Sequence, residues 1–99
     1  MRVSAWNGGA NTYGVRVGIP NRDAPFDRRW TEIEVDIEGN IHRFAITPGF
    51  WRQCPEFRDR GSPIIREWLR RHHALNWPKG CPPRFALAHI TSNRFRLTT

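Results

Sequence analysis

Residues 31–46 constrain the fold more than any other part of the sequence. Between positions 32 and 38 acidic and apolar residues alternate strictly, with the period of two that is typical of a strand with one buried face. Gly39 and Asn40 then supply a two-residue turn of the II′ kind, and alternation resumes after it. The segment therefore predicts a β-hairpin whose inner face carries five apolar side chains: Ile33, Val35, Ile37, Phe44 and Ile46.

The register of this hairpin follows from the same pattern. With the turn at Gly39 and Asn40, Asp36 lies opposite Arg43 on the outer face, among further acidic residues. Such a cross-strand ion pair stabilises a sheet by a few tenths of a kcal/mol. A slip of one residue would turn the apolar side chains to solvent, so the pattern favours one register.

Two further hairpins are predicted on either side of the first. Residues 1–19 alternate on both sides of a Gly- and Asn-rich turn at 7–11, and residues 84–97 alternate on both sides of a turn at 91–93. The last hairpin would present three arginines on its outer face: Arg84, Arg94 and Arg96.

One amphipathic helix is predicted to begin after Gly61. Ser62 is the expected N-cap, and Pro63 takes the first helical position, where its missing N–H costs nothing. We expect about eleven to thirteen helical residues. The stripe that should face the sheet consists of Ile64, Ile65, Trp68, Leu69, His72 and Leu75.

The order of these elements predicts one α+β domain over residues 1–99. It would contain about six strands in antiparallel hairpins (ββ-ββ-α-ββ), with one main amphipathic helix packed on the sheet. Residues 50–57 are too apolar for a solvated loop, so we expect a helical turn or two there, capping the core. A chain of 99 residues has room for a single core.

The charge of the chain suggests a polyanionic partner. The net charge is +7, and every basic residue except Lys79 is an arginine, whose planar guanidinium suits phosphate oxygens and guanine edges. A GC-rich coding sequence would give the same arginine excess without any selection for binding. The net charge is +3 for residues 1–29, −3 for residues 30–47 and +7 for residues 48–99. Such segregation could attract a polyanion to one side, or pair two copies through opposite faces.

The candidate nucleic-acid-binding residues gather around the predicted helix. Arg66, Arg70 and His73 share the face opposite the apolar stripe, and we expect Arg66 and Arg70 to have no carboxylate partner. Arg71, by contrast, follows Glu67 at the favourable i, i+4 spacing. The full predicted set is Arg58, Arg60, Arg66, Arg70, His73, Arg94 and Arg96. Binding through five or six phosphates would be salt-sensitive and weakly specific.

Catalytic and metal-binding patterns are missing from the sequence. It contains no nucleophile beside a base and no phosphate-binding glycine motif, and its histidines and cysteines lack zinc-site spacing. We therefore expect a non-enzymatic protein without cofactor or metal. A deep pocket in which His72 or His42 meets a carboxylate would instead indicate an enzyme. Cys54 and Cys81 lack C-x-x-C spacing, and we expect them to be reduced thiols.

Other binding roles stay open. Trp51 and Trp77 each have a basic residue within two positions, and could stack bases or anchor a protein interface. An open sheet leaves a face or an edge to cover, which suggests a homo-oligomeric interaction module. A small-ligand pocket beside residues 50–57 also fits the aromatic content. No stretch is apolar enough to span a membrane and residues 1–4 do not resemble a secretion signal, so we predict a cytoplasmic protein without a membrane partner.

Two stretches of the chain resemble small bacterial proteins of mobile elements, of the integron gene-cassette kind. They read Ile46-Thr47-Pro48-Gly49-Phe50-Trp51-Arg52-Gln53-Cys54-Pro55-Glu56-Phe57 and Ile65-Arg66-Glu67-Trp68-Leu69, and cover less than a third of the sequence. The resemblance implies a self-contained bacterial protein, often oligomeric and without an assigned activity. It transfers no functional residue to this chain.

Overall fold

The computed structural model describes residues 1–53 and 55–99 of the chain. Its seven strands are β1 (Arg2–Gly9), β2 (Thr12–Arg16), β3 (Glu32–Ile37), β4 (Asn40–Ala45), β5 (Glu56–Arg58), β6 (Arg84–Thr91) and β7 (Arg94–Thr98). Its helices are α1 (Ile19–Arg22), α2 (Ile64–Arg71) and a 3-10 helix at Pro48–Trp51. Within the described residues, no helix has the length and apolar character needed to cross a membrane.

All seven strands join one mixed sheet in the order β4-β3-β7-β6-β1-β2-β5. The three predicted hairpins are present as the antiparallel pairs β1–β2, β3–β4 and β6–β7. The second and third hairpins are joined by a parallel pairing of β3 with β7. The α+β class is therefore confirmed, but the sheet is larger than predicted and is not built from antiparallel pairs alone.

The additional strand, β5, lies where the sequence predicted a helical turn. The 3-10 helix overlaps the predicted segment, residues 50–57, at Phe50 and Trp51. The prediction is wrong for Glu56 and Phe57, which belong to β5 and pair with β2. A strand of three residues is too short to show a period in the sequence. Its pairing depends instead on the open edge of β2, where the buried ring of Phe57 lies opposite Val15.

The β3–β4 hairpin turns one residue earlier than predicted. Glu38 and Gly39 form the turn, with φ of 54° and 88°, and positive values at both positions define a type I′ turn. The carboxylate of Asp36 accepts the Gly39 N–H at 2.9 Å. Arg43 therefore lies opposite Glu34, and the predicted Asp36–Arg43 pair is wrong. Because each residue's partner changes by two positions, the inner face keeps its five predicted apolar side chains.

The sheet curls around a core that its inner face shares with α2. The rings of Phe44 on β4 and Phe57 on β5 lie 5.1 Å apart between centroids, although these two strands occupy opposite ends of the sheet order. Helix α2 contributes Trp68, whose ring centroid is 4.6 Å from that of Phe85 on β6. Trp68 is only 1% exposed, so the predicted inward direction of this side chain is confirmed.

Helix α2 has eight residues and not the predicted length of about eleven to thirteen. The chain leaves the helix at His73, whose φ is 54°, and Ala74 donates its N–H to the Leu69 carbonyl at 2.8 Å, as in a helix C-cap. Glycine usually marks such a position, so histidine gave no stop signal. Leu69 is buried as predicted. His72 was predicted to face the sheet, but it lies exposed at the core margin because the helix ends before it.

The start of α2 is held by Asp59 and not by the predicted Ser62. Pro63 immediately precedes the helix and makes no side-chain cap hydrogen bond. The carboxylate of Asp59 instead accepts the N–H groups of Ile65 at 2.8 Å and Arg66 at 3.0 Å. Burial raises the pKa of Asp59, while these hydrogen bonds act in the opposite direction. The cap comes from the loop after β5, outside the usual spacing of a capping motif.

We expect Asp59→Ala to lower the free energy of unfolding by about 1 kcal/mol, because two N–H groups of the first helical turn lose their acceptor. Ser62→Ala, the control at the sequence-predicted cap, should change it by less than about 0.5 kcal/mol. Urea unfolding followed by tryptophan fluorescence measures both. Equal losses in the two variants would contradict the assignment of the cap to Asp59.

Candidate nucleic-acid interface

The arginines of the last strand stand on the outer face, as predicted, but they are paired. Strand β7 places Arg94 in register with Glu34 and Arg96 in register with Asp36. The guanidinium–carboxylate distances are 2.8 Å for Arg94 and 3.2 Å for Arg96. Arg43 approaches Glu34 from the other side at 3.8 Å. This half of the outer face is therefore a network of opposite charges.

The helix face is also partly neutralised, contrary to the sequence prediction. Arg66 and Arg70 both approach Glu67, at 3.7 Å and 2.7 Å. Arg71, expected to pair with Glu67, lies 2.6 Å from Glu38. Hydrogen bonds from Arg70 and Arg71 hold the pKa values of Glu67 and Glu38, respectively, below their usual range. The predicted row of free guanidinium groups is absent from this face of α2.

The other predicted residues do not converge with the helix arginines. Arg58 lies 3.9 Å from Glu56, with 45% of its side chain exposed. Arg58 and exposed Arg60 line a cleft of about 230 Å³ between β4 and the segment after β5. His73 is exposed in the turn after α2. The predicted set is thus spread over several surfaces.

The two tryptophans predicted to stack bases or to anchor an interface are half-buried against the core. Trp51 is half-buried, and its ring centroid lies 4.7 Å from the Arg28 guanidinium and 5.5 Å from that of Arg22. Trp77 is half-buried too, with an edge contact to Tyr13 at 6.3 Å between centroids. Both side chains therefore contribute to the stability of the fold.

One open cleft brings a histidine to a carboxylate. It has a volume of about 300 Å³, and His72 Nε2 lies 3.5 Å from Glu38 Oε2. That separation is too long for a strong hydrogen bond, and the short contact of this carboxylate is with Arg71.

No group of three or more His, Cys, Asp or Glu side chains that could hold a metal ion occurs in residues 1–53 and 55–99. Cys81 is an exposed free thiol. The expectation for Cys54 lies outside the described residues.

The ion pairs show where the positive charge excess lies. Eight of the nine carboxylates pair with arginines, and the ninth, Asp59, caps α2. In the part of the chain that the structure describes, seven basic residues take no part in these pairs: Arg2, Arg16, Arg28, Arg52, Arg60, Lys79 and Arg84.

Three of these seven residues meet at one cleft on the outer face of the sheet. Arg16 on β2 and Arg84 on β6 are both in register with Ser4 on β1, and Arg2 precedes Ser4 by two positions on the same face. All three arginines are exposed, and they line a cleft of about 200 Å³. Neighbouring strands lie about 4.8 Å apart, so these long side chains can contact one anion from three directions.

Trp6 and Arg58 extend this surface beyond the cleft. Trp6 follows Ser4 by two positions, and the Arg58 guanidinium lies 4.9 Å from its ring centroid. Between them in register lies Gly14 on β2. A Cβ at Gly14 would come within 2.4 Å of the Phe57 carbonyl oxygen, so the close approach of β5 requires glycine here. Its missing side chain also leaves room for Arg58 to reach the indole.

We call this surface the basic face and define it by Arg2, Ser4, Trp6, Arg16, Arg58 and Arg84. Only Arg58 belongs to the set predicted from the sequence. The alternation of residues 1–6 did place Arg2, Ser4 and Trp6 on one side of a strand. The missing information was the strand order β6-β1-β2, which brings Arg84 and Arg16 to either side of Ser4.

Comparison with models of protein families, with curated proteins and with solved structures finds no match for this chain. The resemblance to gene-cassette proteins therefore stays a prediction. The basic face has to be interpreted from its own geometry and charge.

Proposed function

We propose that this chain binds nucleic acid through the basic face and catalyses no reaction. The observation that carries the proposal is the meeting of Arg2, Arg16 and Arg84 around Ser4, none of them in an ion pair within the described residues. The carboxylate nearest to this cleft in register is Glu56, opposite Arg16 on β5, and it pairs with Arg58. Guanidinium groups bind phosphate oxygens through several N–H donors at once. Contacts of this kind provide most of the affinity of proteins for nucleic acids.

The distribution of charge over the outer face also favours a polyanion at this location. The half formed by β4, β3 and β7 carries arginine–carboxylate pairs. The half formed by β6, β1 and β2 carries the unpaired arginines of the cleft. A field of one sign on one side steers an anion to that side. This location replaces the helix face that the sequence predicted.

The test is a salt titration of the affinity for a fluorescein-labelled single-stranded DNA, measured by fluorescence anisotropy. Three phosphate contacts by Arg2, Arg16 and Arg84 would give a slope of about −2 in log affinity against log salt, and a loss of about 20-fold between about 50 and 200 mM. No detectable binding at about 50 mM salt would overturn the proposal.

A second candidate, the assembly of several copies, is favoured by the free edge of β4. This strand is paired with β3 alone, and β5 lies across a cleft on its other side without pairing with it. The outer backbone groups of β4 therefore have no strand partner, and Ile41 on it is 44% exposed. Open edges of this kind pair with other chains. A homo-oligomer through β4 is the function that remains if the chain binds no nucleic acid.

A further inference from the structure

Arg58 and Trp6 form a cation–π pair at the margin of the basic face. The guanidinium carbon lies 4.9 Å from the indole centroid, within the range of a cation–π contact. Glu56 approaches the same guanidinium at 3.9 Å. Two neighbours therefore restrict the orientation of Arg58, while 45% of its side chain stays exposed. The pair presents a planar cation supported by an aromatic ring.

A supported guanidinium plane is a surface on which a nucleobase can stack. Unpaired bases stack on aromatic rings and on arginine planes, and such contacts tolerate any base. Because Trp6 and Glu56 already restrict Arg58, less conformational entropy is lost when a base binds there. The exposed part of the Arg58 side chain is where that base can approach.

The Arg58–Trp6 pair and the phosphate cleft are close enough to contact one nucleic-acid strand together. Trp6 and Ser4 are two residues apart on the same face of β1, a separation of roughly 7 Å. A strand whose phosphates lie between Arg16 and Arg84 can therefore place a base at Arg58.

A base can stack in this way only when it is unpaired, because the faces of bases in a duplex are covered by their neighbours. The basic face also lacks a helix that could enter a major groove, since α2 packs on the opposite, inner side of the sheet through Trp68. We propose that the basic face is a site for single-stranded nucleic acid, with phosphates at Arg2, Arg16 and Arg84 and one base on the Arg58–Trp6 pair. This proposal rests on the proposed function and specifies its ligand.

The experiment compares Arg58→Lys with Arg84→Lys, two changes that keep the charge and remove a guanidinium plane. Three probes are used at constant salt: an oligothymidine, an abasic strand of the same length, and a duplex of that length. We expect the parent to prefer the oligothymidine over both other probes. Arg58→Lys should weaken oligothymidine binding about tenfold and leave the abasic strand unchanged, because only the stacking contact is lost. Arg84→Lys should weaken both single strands alike, by about threefold or less.

The outcomes separate this proposal from the proposed function. If the parent binds none of the probes, the proposed function itself fails. If it binds duplex as tightly as oligothymidine, or if Arg58→Lys weakens the abasic strand as much as oligothymidine, Arg58 contacts only phosphate and the stacking proposal is wrong. Trp6→Leu is a second test, because it removes the aromatic ring that contacts the Arg58 guanidinium. It should weaken oligothymidine binding selectively, as Arg58→Lys does.

Discussion

Replacing Trp68 with alanine is expected to lower the free energy of unfolding by about 3–5 kcal/mol. Trp68 is the largest fully buried side chain of the described core, and it joins α2 to the sheet through its contact with Phe85. Its removal would leave a cavity that a sheet fixed by backbone hydrogen bonds can fill only in part. Since the free energy of unfolding of a small domain is about 5–15 kcal/mol, this one change would remove a large part of it.

The matched control is Trp77→Ala, which removes the same side chain from a half-buried position against Tyr13. Chemical denaturation followed by far-ultraviolet circular dichroism suits both variants, because the signal does not depend on the lost indole. We expect a clearly smaller loss for Trp77→Ala, since less apolar surface is uncovered there. A loss for Trp68→Ala no larger than that of the control would show that α2 is not an integral part of the core.

The combined change of Arg2, Arg16 and Arg84 to glutamine is expected to have the largest effect on binding. Each arginine lines the cleft around Ser4 without a carboxylate partner among the described residues, so each is free to neutralise a phosphate. Removing three phosphate contacts should reduce the salt slope by about 2, and lower the affinity for single-stranded DNA roughly 100- to 1,000-fold at about 50 mM salt. Glutamine keeps much of the side-chain length, so folding should be little affected.

The control removes the same amount of charge from arginines that already have partners: Arg29, Arg43 and Arg94. The charges of these arginines are neutralised by neighbouring carboxylates, and salt screens their electrostatic effect on the distant basic face. We therefore expect the affinity for single-stranded DNA to fall by less than about fivefold. Anisotropy titrations of the two triple variants at matched salt compare them directly. Equal losses would mean that the affinity follows net charge alone, and would remove the basic face as the binding site.

The register of the β3–β4 hairpin shows how far local patterns reach. The alternation determined which side chains face the core, because side-chain direction depends only on the period of the strand. It did not determine the turn, because Glu38 takes a positive φ that non-glycine residues seldom adopt. The sequence pattern also did not predict the two ends of α2. His73, where the chain leaves the helix, has an unusual positive φ, and the capping residue Asp59 lies outside the helix.

The candidate site shows the same division at a larger scale. The sequence by itself determined the α+β class, the inward direction of Trp68 and the outward direction of the arginines on the strands, because these follow from local periodicity. Only the tertiary structure decided which arginines are free. Strand β7 lies beside β3 and pairs Arg94 and Arg96 with carboxylates sixty positions away, whereas β6, β1 and β2 bring three arginines together without one. The neighbours of a strand depend on how the whole core packs, and the charge that remains for a ligand depends on those neighbours.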